Sequence, residues 1–148
     1  MNPFVEEIYH ESALLALIVS HRFDAPGIHF FTAPELSQQL AYMHHPAGKI
    51  IEPHVHNRTL HEVHYTQEVL VIRKGRVRVD FYDPQGVYVE SRILGTGDII
   101  LLASGGHGFE VLDDLEMIEV KQGPFSGDAD KTRIAGIPAG SAVIRNSQ

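Results

Sequence analysis

Four side chains combine a type and a spacing that could bind a divalent transition metal: His54, His56, Glu68 and His107. His54 and His56 are two positions apart, so on a β-strand both imidazoles project from one face and can reach the same ion. Glu68 begins an apolar segment, where an ionised carboxylate needs a cation or hydrogen-bond donors to offset its burial. A bound metal would supply that compensation.

His107 follows two glycines that allow the backbone to bend sharply, so it could complete the site from a more distant part of the chain. The chain contains no cysteine, and any metal must therefore be bound by histidine and carboxylate. Three imidazoles and one carboxylate suit Fe, Mn, Ni or Zn and disfavour calcium and copper(I). Such a set leaves one or two coordination positions for water, substrate or O₂.

The segments that must position these residues are short, rich in β-branched and aromatic residues, and separated by Gly, Pro, Asn and Asp, which is typical of an all-β sandwich or barrel. Arg76 to Tyr82 shows the alternation most clearly, with Val77, Val79 and Phe81 on one face. The predicted strands are Leu14–Ser20, Ile28–Thr32, Gln39–His44, Ile50–His56, Glu68–Arg73, Arg76–Tyr82, Val87–Ile93, Ile99–Ala103, Gly108–Leu112 and Met117–Gln122.

The length of 148 residues fits one domain with a single core. Helical signals are limited to the first dozen residues and to Pro34–Leu40, so we expect only short peripheral strand or helix additions at the N-terminal side. After Gly123 the composition shifts to Gly, Pro, Asp, Ser and Ala, which predicts a C-terminal strap and tail over 123–148.

The spacing of the candidate ligands resembles the two sequence motifs of the cupin superfamily. The first reads Gly48, five residues, His54-x-His56, eleven residues, Glu68, six residues and Gly75, and the second reads Gly97-Asp98, an apolar run and Gly105-Gly106-His107. The resemblance covers about residues 39–122. Its second half is similar to small cupins found beside bacterial surface-polysaccharide and nucleotide-sugar enzymes.

The resemblance implies a jelly-roll barrel (a double-stranded β-helix) in which His54, His56, Glu68 and His107 hold one divalent metal. It also implies a homodimer. The chain departs from the family motifs at several positions. Eleven residues instead of three or four separate His56 from Glu68, Ala103 replaces the usual proline, and His107 comes one residue early with no following asparagine.

The segment 57–67 is therefore an insertion, and it contains His61 and His64. His64 would share the face of Glu68 if that strand extended backward, whereas His61 and His64 would be neighbours only on a helical turn. One interpretation is a solvated loop over the barrel mouth. The other gives His61 or His64 a catalytic role as general acid or base, because imidazole titrates near neutral pH.

Strand parity suggests further residues inside the barrel. Leu70, Ile72, Phe109 and Val111 would give the ion an apolar lining. If Ile118 and Val120 also face inward, then so does Gln122, whose amide could orient a polar ligand or bond to the backbone.

Composition excludes some functions. The net charge of −7 argues against sequence-independent binding to nucleic acid, which requires many cationic contacts to phosphate. No apolar run is long enough to cross a membrane, and Glu6, Glu7 and Glu11 precede the first aliphatic stretch where a secretory signal would carry Lys or Arg. We therefore expect a cytoplasmic protein.

Two functions from different classes remain open. The first is an enzyme, a metal-dependent dioxygenase or an isomerase or epimerase, acting on a small polar metabolite such as a sugar or sugar-nucleotide derivative. The second is a non-catalytic, metal-dependent binding or sensor module associated with polysaccharide biosynthesis. The sequence by itself does not choose between them.

Overall fold

The computed structural model describes residues 2–146, and its regular secondary structure is all strand apart from one short 3₁₀ turn at Gly127–Asp130. The expectation of an all-β protein is thereby confirmed. The strands are β1 (Val5–His10), β2 (Ala13–Val19), β3 (Gly27–Phe30), β4 (Ala41–His44), β5 (Glu68–Lys74), β6 (Arg76–Tyr82), β7 (Tyr88–Gly95), β8 (Ile99–Leu102), β9 (Gly106–Val111) and β10 (Glu116–Lys121). All pairs of these strands are antiparallel.

The described residues divide into two compact units. Unit 1 comprises residues 2–23 and 66–146, and unit 2 comprises residues 24–65. Unit 1 contains a five-stranded sheet of order β1-β2-β8-β5-β10 and a three-stranded sheet of order β7-β6-β9. Unit 2 contains the pair β3-β4.

The core of unit 1 lies between its two sheets because each sheet turns an apolar face to the other. Val77, Val79 and Phe81 alternate along β6 and are fully buried, as are Leu70 and Ile72 on β5. Burial of such side chains is worth about 1.5–3 kcal/mol each. The period-two pattern of the sequence thus accounts for the faces of the central strands.

A buried polar cluster lies on the opposite face of β6. Asp80 accepts hydrogen bonds from Nε and Nη2 of Arg78, at 2.8 and 2.9 Å, and from the Ser91 hydroxyl. Glu110 on β9 forms a second ion pair with Arg78. Tyr88 and Ser91 are joined through their hydroxyls, at 2.8 Å. These contacts tie β6 to both of its neighbours in the three-stranded sheet.

The C-terminal segment 143–146 runs along β7. Ser91 donates its backbone N–H to the Val143 carbonyl at 2.9 Å, and Arg145 donates to the Ser91 carbonyl at 3.0 Å. The Asn146 amide bonds to both backbone groups of Ile93. The segment therefore satisfies the outer edge of the three-stranded sheet.

Unit 2 consists of the β3-β4 pair and a long irregular segment. Gly27–Phe30 pairs with Ala41–His44 in register, and Asp24 accepts hydrogen bonds from Tyr42 and His44 at 3.2 and 2.9 Å. Residues 45–65 form no strand. The predicted strand Ile50–His56 is therefore wrong: alternation of side chains suits a strand, but these residues have no ladder partner within unit 2.

The helical signals do not give helices, and the N-terminal addition is a strand. Residues 5–10 form β1, which pairs with β2 across the two residues Glu11 and Ser12, from Val5↔Val19 to His10↔Ala13, and residues 34–38 form turns and bends. The expected strand or helix addition is thus a strand, whose structure is set by pairing with the next strand in the chain. No helix within residues 2–146 is long and apolar enough to cross a membrane.

Candidate metal site

Glu68 and His107 lie together in unit 1. Glu68 is the first residue of β5 in the five-stranded sheet, and His107 is the second residue of β9 in the three-stranded sheet. The His107 Nε2 and a Glu68 carboxylate oxygen are 3.2 Å apart. Glu68 and His107, which are 39 positions apart in the sequence, thus meet at one end of the core. The sequence predicted that these two side chains would lie close together.

The turn before β9 fixes the position of His107. Gly105 has a φ of +69°, a conformation that favours glycine, and a Cβ there would collide with the Tyr82 carbonyl oxygen. β9 then pairs with β6 so that His107 is opposite Phe81. The His107 ring packs on Phe109, with 5.4 Å between ring centroids.

The surroundings of Glu68 favour its ionised form. The hydrogen bond from His107 is the main cause of the lowered pKa of Glu68, and the positive charges of His107, Lys121 and Lys131 lower this pKa further, while burial opposes them. The Lys121 ammonium is 3.9 Å from the second Glu68 oxygen and 3.1 Å from Glu119. Glu68 is therefore an anion in a largely cationic environment.

The Glu68–His107 pair fits a shared metal ion. Two ligand atoms bound at about 2.1 Å with an angle of roughly 90–110° at the ion lie about 3.0–3.4 Å apart. The observed separation of 3.2 Å falls within this range. Imidazole and carboxylate are also ligands that Fe, Mn, Ni and Zn accept.

His54 and His56 lie together in unit 2. Their ring centroids are 5.4 Å apart, and both residues are exposed. Nδ1 of His54 donates to the Glu52 carbonyl oxygen at 3.0 Å, which leaves Nε2 as the unprotonated nitrogen of the neutral ring. This backbone hydrogen bond is the type that orients a histidine toward a metal through its other nitrogen.

The structure places the four predicted ligands in two pairs, one within each unit. Within residues 2–146, neither unit by itself groups three histidine, aspartate or glutamate side chains that could hold a metal ion. The assignment of all four residues to a single ion stays a prediction.

The inserted histidines are solvated. The His64 side chain is 74% exposed, with Nε2 3.5 Å from Glu62, and His61 is also exposed. β5 begins at Glu68 and does not extend back to His64, so the condition under which His64 would share the face of Glu68 is not met. Their catalytic role stays a prediction.

Lys121 is a site residue that the sequence analysis missed. In β10, Lys121 pairs with Glu68, whereas Ile118 and Val120 pair with Val71 and Val69. Ile118 and Val120 are therefore on the face opposite Glu68, and the condition on which Gln122 would face inward is not met. The alternation that contains Glu119 also contains Lys121 and lies on the face of Glu68. The sequence alone does not give the register that selects this alternation.

Gln122 bonds to the backbone. Its side-chain oxygen accepts the backbone N–H of Gln67 at 2.7 Å, which is the second of the two alternatives for this amide.

The expected apolar lining is only partly buried. Leu70 and Ile72 are buried as expected. Phe109 and Val111 are 41% and 59% exposed, so this part of the expected lining is open to solvent.

Comparisons of the chain with protein-family models, with curated proteins and with solved structures gave no match.

Proposed function

We propose that the chain is a metal-binding cupin with a jelly-roll fold that acts on a small polar metabolite, such as a sugar or sugar-nucleotide derivative, in the manner of a metal-dependent dioxygenase or an isomerase or epimerase. The observation that carries the proposal is the Glu68–His107 pair, with nitrogen and oxygen 3.2 Å apart. His54 and His56 would complete a three-histidine, one-carboxylate set for Fe, Mn, Ni or Zn.

The metal, when bound, would polarise an oxygen of the substrate as a Lewis acid or provide a site for O₂. Glu68 and His107 would hold it from unit 1. To hold the ion, His107 would present an unprotonated Nε2, so the proton of its hydrogen bond to Glu68 would be released. The turn at Gly105 would fix the position of the imidazole.

Lys121 supports a negatively charged substrate. Its ammonium is near Glu68, and Glu119 also contacts it. With Glu68 bound to a metal, the Lys121 ammonium, still paired with Glu119, would be the cation beside the ion that an anionic group could contact. A sugar nucleotide carries such a group in its diphosphate.

The second candidate, a non-catalytic binding or sensor module, is favoured by the positions of His61 and His64. General acids and bases act from fixed positions within hydrogen-bonding distance of the reacting atoms. The exposure of both histidines gives no such fixed position. In this alternative the metal and Lys121 would hold the ligand without turning it over.

One experiment tests the function and separates the two classes. Metal-loaded protein is incubated with a panel of nucleotide sugars while turnover and the shift of the unfolding temperature are recorded. Turnover supports the enzyme, and stabilisation without turnover supports the binding module, because a ligand that binds only the folded state raises its stability.

Lys121→Met gives the matched variant. It should keep the metal content of the wild type and lose about ten-fold or more in affinity for any nucleotide sugar that binds. Neither turnover nor stabilisation with any compound would reject this substrate class.

A further inference from the structure

Unit 1 contains a cleft that is separate from the Glu68–His107 pair. It has a volume of about 310 Å³ and lies where the N-terminal residues, the end of β2 and the turn before β8 come together. The residues that line it include Phe4, Ile18, His21, Arg22 and Ile93. The cleft thus combines apolar walls with two adjacent basic side chains.

His21 is held in a defined orientation in this cleft. Both its backbone N–H and its ring Nδ1 bond to the same carboxylate oxygen of Asp98, at 2.9 and 3.0 Å. The other Asp98 oxygen accepts the Gly95 N–H at 2.9 Å. Because Nδ1 donates to Asp98, the nitrogen left for a ligand is Nε2, which has no protein partner among the described residues.

The turn that carries Asp98 is shaped to receive His21. Gly97 has a φ of +89°, and a Cβ at this position would lie 2.7 Å from the His21 Cβ. Any larger residue would displace the histidine from its place against the turn. The imidazole is therefore fixed by a carboxylate on one side and by a glycine on the other.

Arg22 carries a positive charge that no carboxylate neutralises within the described part of the chain. Its guanidinium lies over the Phe4 ring, 5.0 Å from the centroid. Arg92, in the same cleft, differs because its guanidinium is buried and contacts Glu6 at 2.6 Å and Glu90 at 3.2 Å. Arg22 therefore offers a ligand its positive charge on a rigid fork of donors, and the Phe4 ring supports it.

We propose that this cleft binds a small organic oxyanion, a carboxylate or a phosphate ester, whose charged group accepts hydrogen bonds from Arg22 and from the Nε2–H of His21 in its doubly protonated form, and whose apolar part contacts Phe4, Ile18 and Ile93. Arginine presents paired donors that match both kinds of oxyanion. A purely structural role for His21, linking β2 to the turn, accounts for Nδ1 and Asp98 but gives no function to Arg22. The site is independent of the proposed metal function.

The test uses three compounds that share one ring: phenyl phosphate, benzoate and neutral benzyl alcohol. Binding to the full chain is followed by NMR chemical-shift changes at residues of the cleft. At least one of the two anions should bind, and the stronger of the two identifies the preferred oxyanion. Benzyl alcohol should bind at least ten-fold more weakly, since it lacks the charged group.

Two variants separate ligand binding from folding. Arg22→Gln removes the charge without breaking an ion pair, and His21→Asn keeps a side-chain N–H for Asp98 while removing Nε2. Each should weaken binding of the preferred anion by about ten-fold or more. Arg73→Gln, which removes a charge from an exposed position on β5, should leave the affinity unchanged.

The proposal is overturned if neither anion binds, if benzyl alcohol binds as tightly as the anions, or if Arg73→Gln weakens binding as much as Arg22→Gln. It is also overturned if both cleft variants bind like the wild type.

Discussion

At the scale of residues, the Glu68–His107 pair is the feature of unit 1 on which the proposed metal function depends. The sequence predicted Glu68 because a carboxylate at the start of an apolar strand needs compensation, and it predicted His107 from the two glycines that precede it. In the structure this compensation includes a hydrogen bond from His107 and the nearby charge of Lys121. The same contacts can position Glu68 and His107 for an ion.

The lowered pKa of Glu68 gives a prediction about pH. In metal-free protein, His107→Phe removes the main cause of this lowering, so the pKa of Glu68 should rise toward the ordinary glutamate value of about 4.3. Carboxyl ¹³C NMR titration of Glu68 measures the change. His10→Phe is the control, and it should leave the Glu68 titration as in the wild type.

The lowered pKa of Glu68 also makes the stability of the protein depend on pH. A carboxyl group whose pKa is lowered on folding stabilises the protein above its unfolded-state pKa and loses that contribution as the pH falls through the lowered value. The difference in unfolding temperature between wild type and His107→Phe should therefore shrink at acid pH. A difference that stays constant from neutral to acid pH would contradict the ion pair.

At the scale of elements, the central strands follow from the sequence, and the segments whose structure is decided by pairing with another strand do not. β6 was predicted residue for residue, since its alternation reflects burial on one face and a polar cluster on the other. β1 was missed because its structure is set by pairing with β2. Ile50–His56 shows the reverse case, in which alternation is present but no ladder partner exists within unit 2. The register of β10, which places Lys121 opposite Glu68, was equally beyond a single sequence.

The polar cluster on β6 gives a prediction about these elements. Asp80→Ala leaves the buried Ser91 hydroxyl and the Arg78 guanidinium without their shared acceptor, so it should lower the free energy of unfolding by about 2 kcal/mol. Urea denaturation measures the loss. Asp113→Ala is the matched control, because it breaks the exposed pair with Arg76 and should leave the denaturation midpoint unchanged. Equal effects of the two substitutions would show that burial of the cluster is unimportant.

At the scale of the whole molecule, each unit contains one pair of the predicted ligands: two imidazoles in unit 2, and an imidazole with a carboxylate in unit 1. The spacing of these residues in sequence predicted the set. It could not predict that residues 45–65 form no strand, because strand formation depends on a pairing partner elsewhere in the fold.

If His54, His56, Glu68 and His107 bind one ion, metal should change hydrogen exchange near the histidine pair in a way that depends on Glu68. Addition of metal should slow hydrogen exchange of the backbone amides at residues 52–58, since these residues become anchored through His54 and His56. The substitution Glu68→Gln, which lies in unit 1, should abolish much of this protection in unit 2. Mass spectrometry of peptic fragments measures it. Unchanged protection in Glu68→Gln would mean that the histidine pair binds metal alone.

The most direct measurement of the central claim is the metal content of protein purified without added metal, determined by elemental analysis of the wild type and of single alanine variants at His54, His56, Glu68 and His107, with His10→Ala as the control. We predict close to one Fe, Mn, Ni or Zn per chain in the wild type and in the control. Each of the four variants should retain far less, because losing one of four ligands weakens binding of the shared ion. Metal content that stays at the level of the wild type in His54→Ala and in His107→Ala would contradict the site.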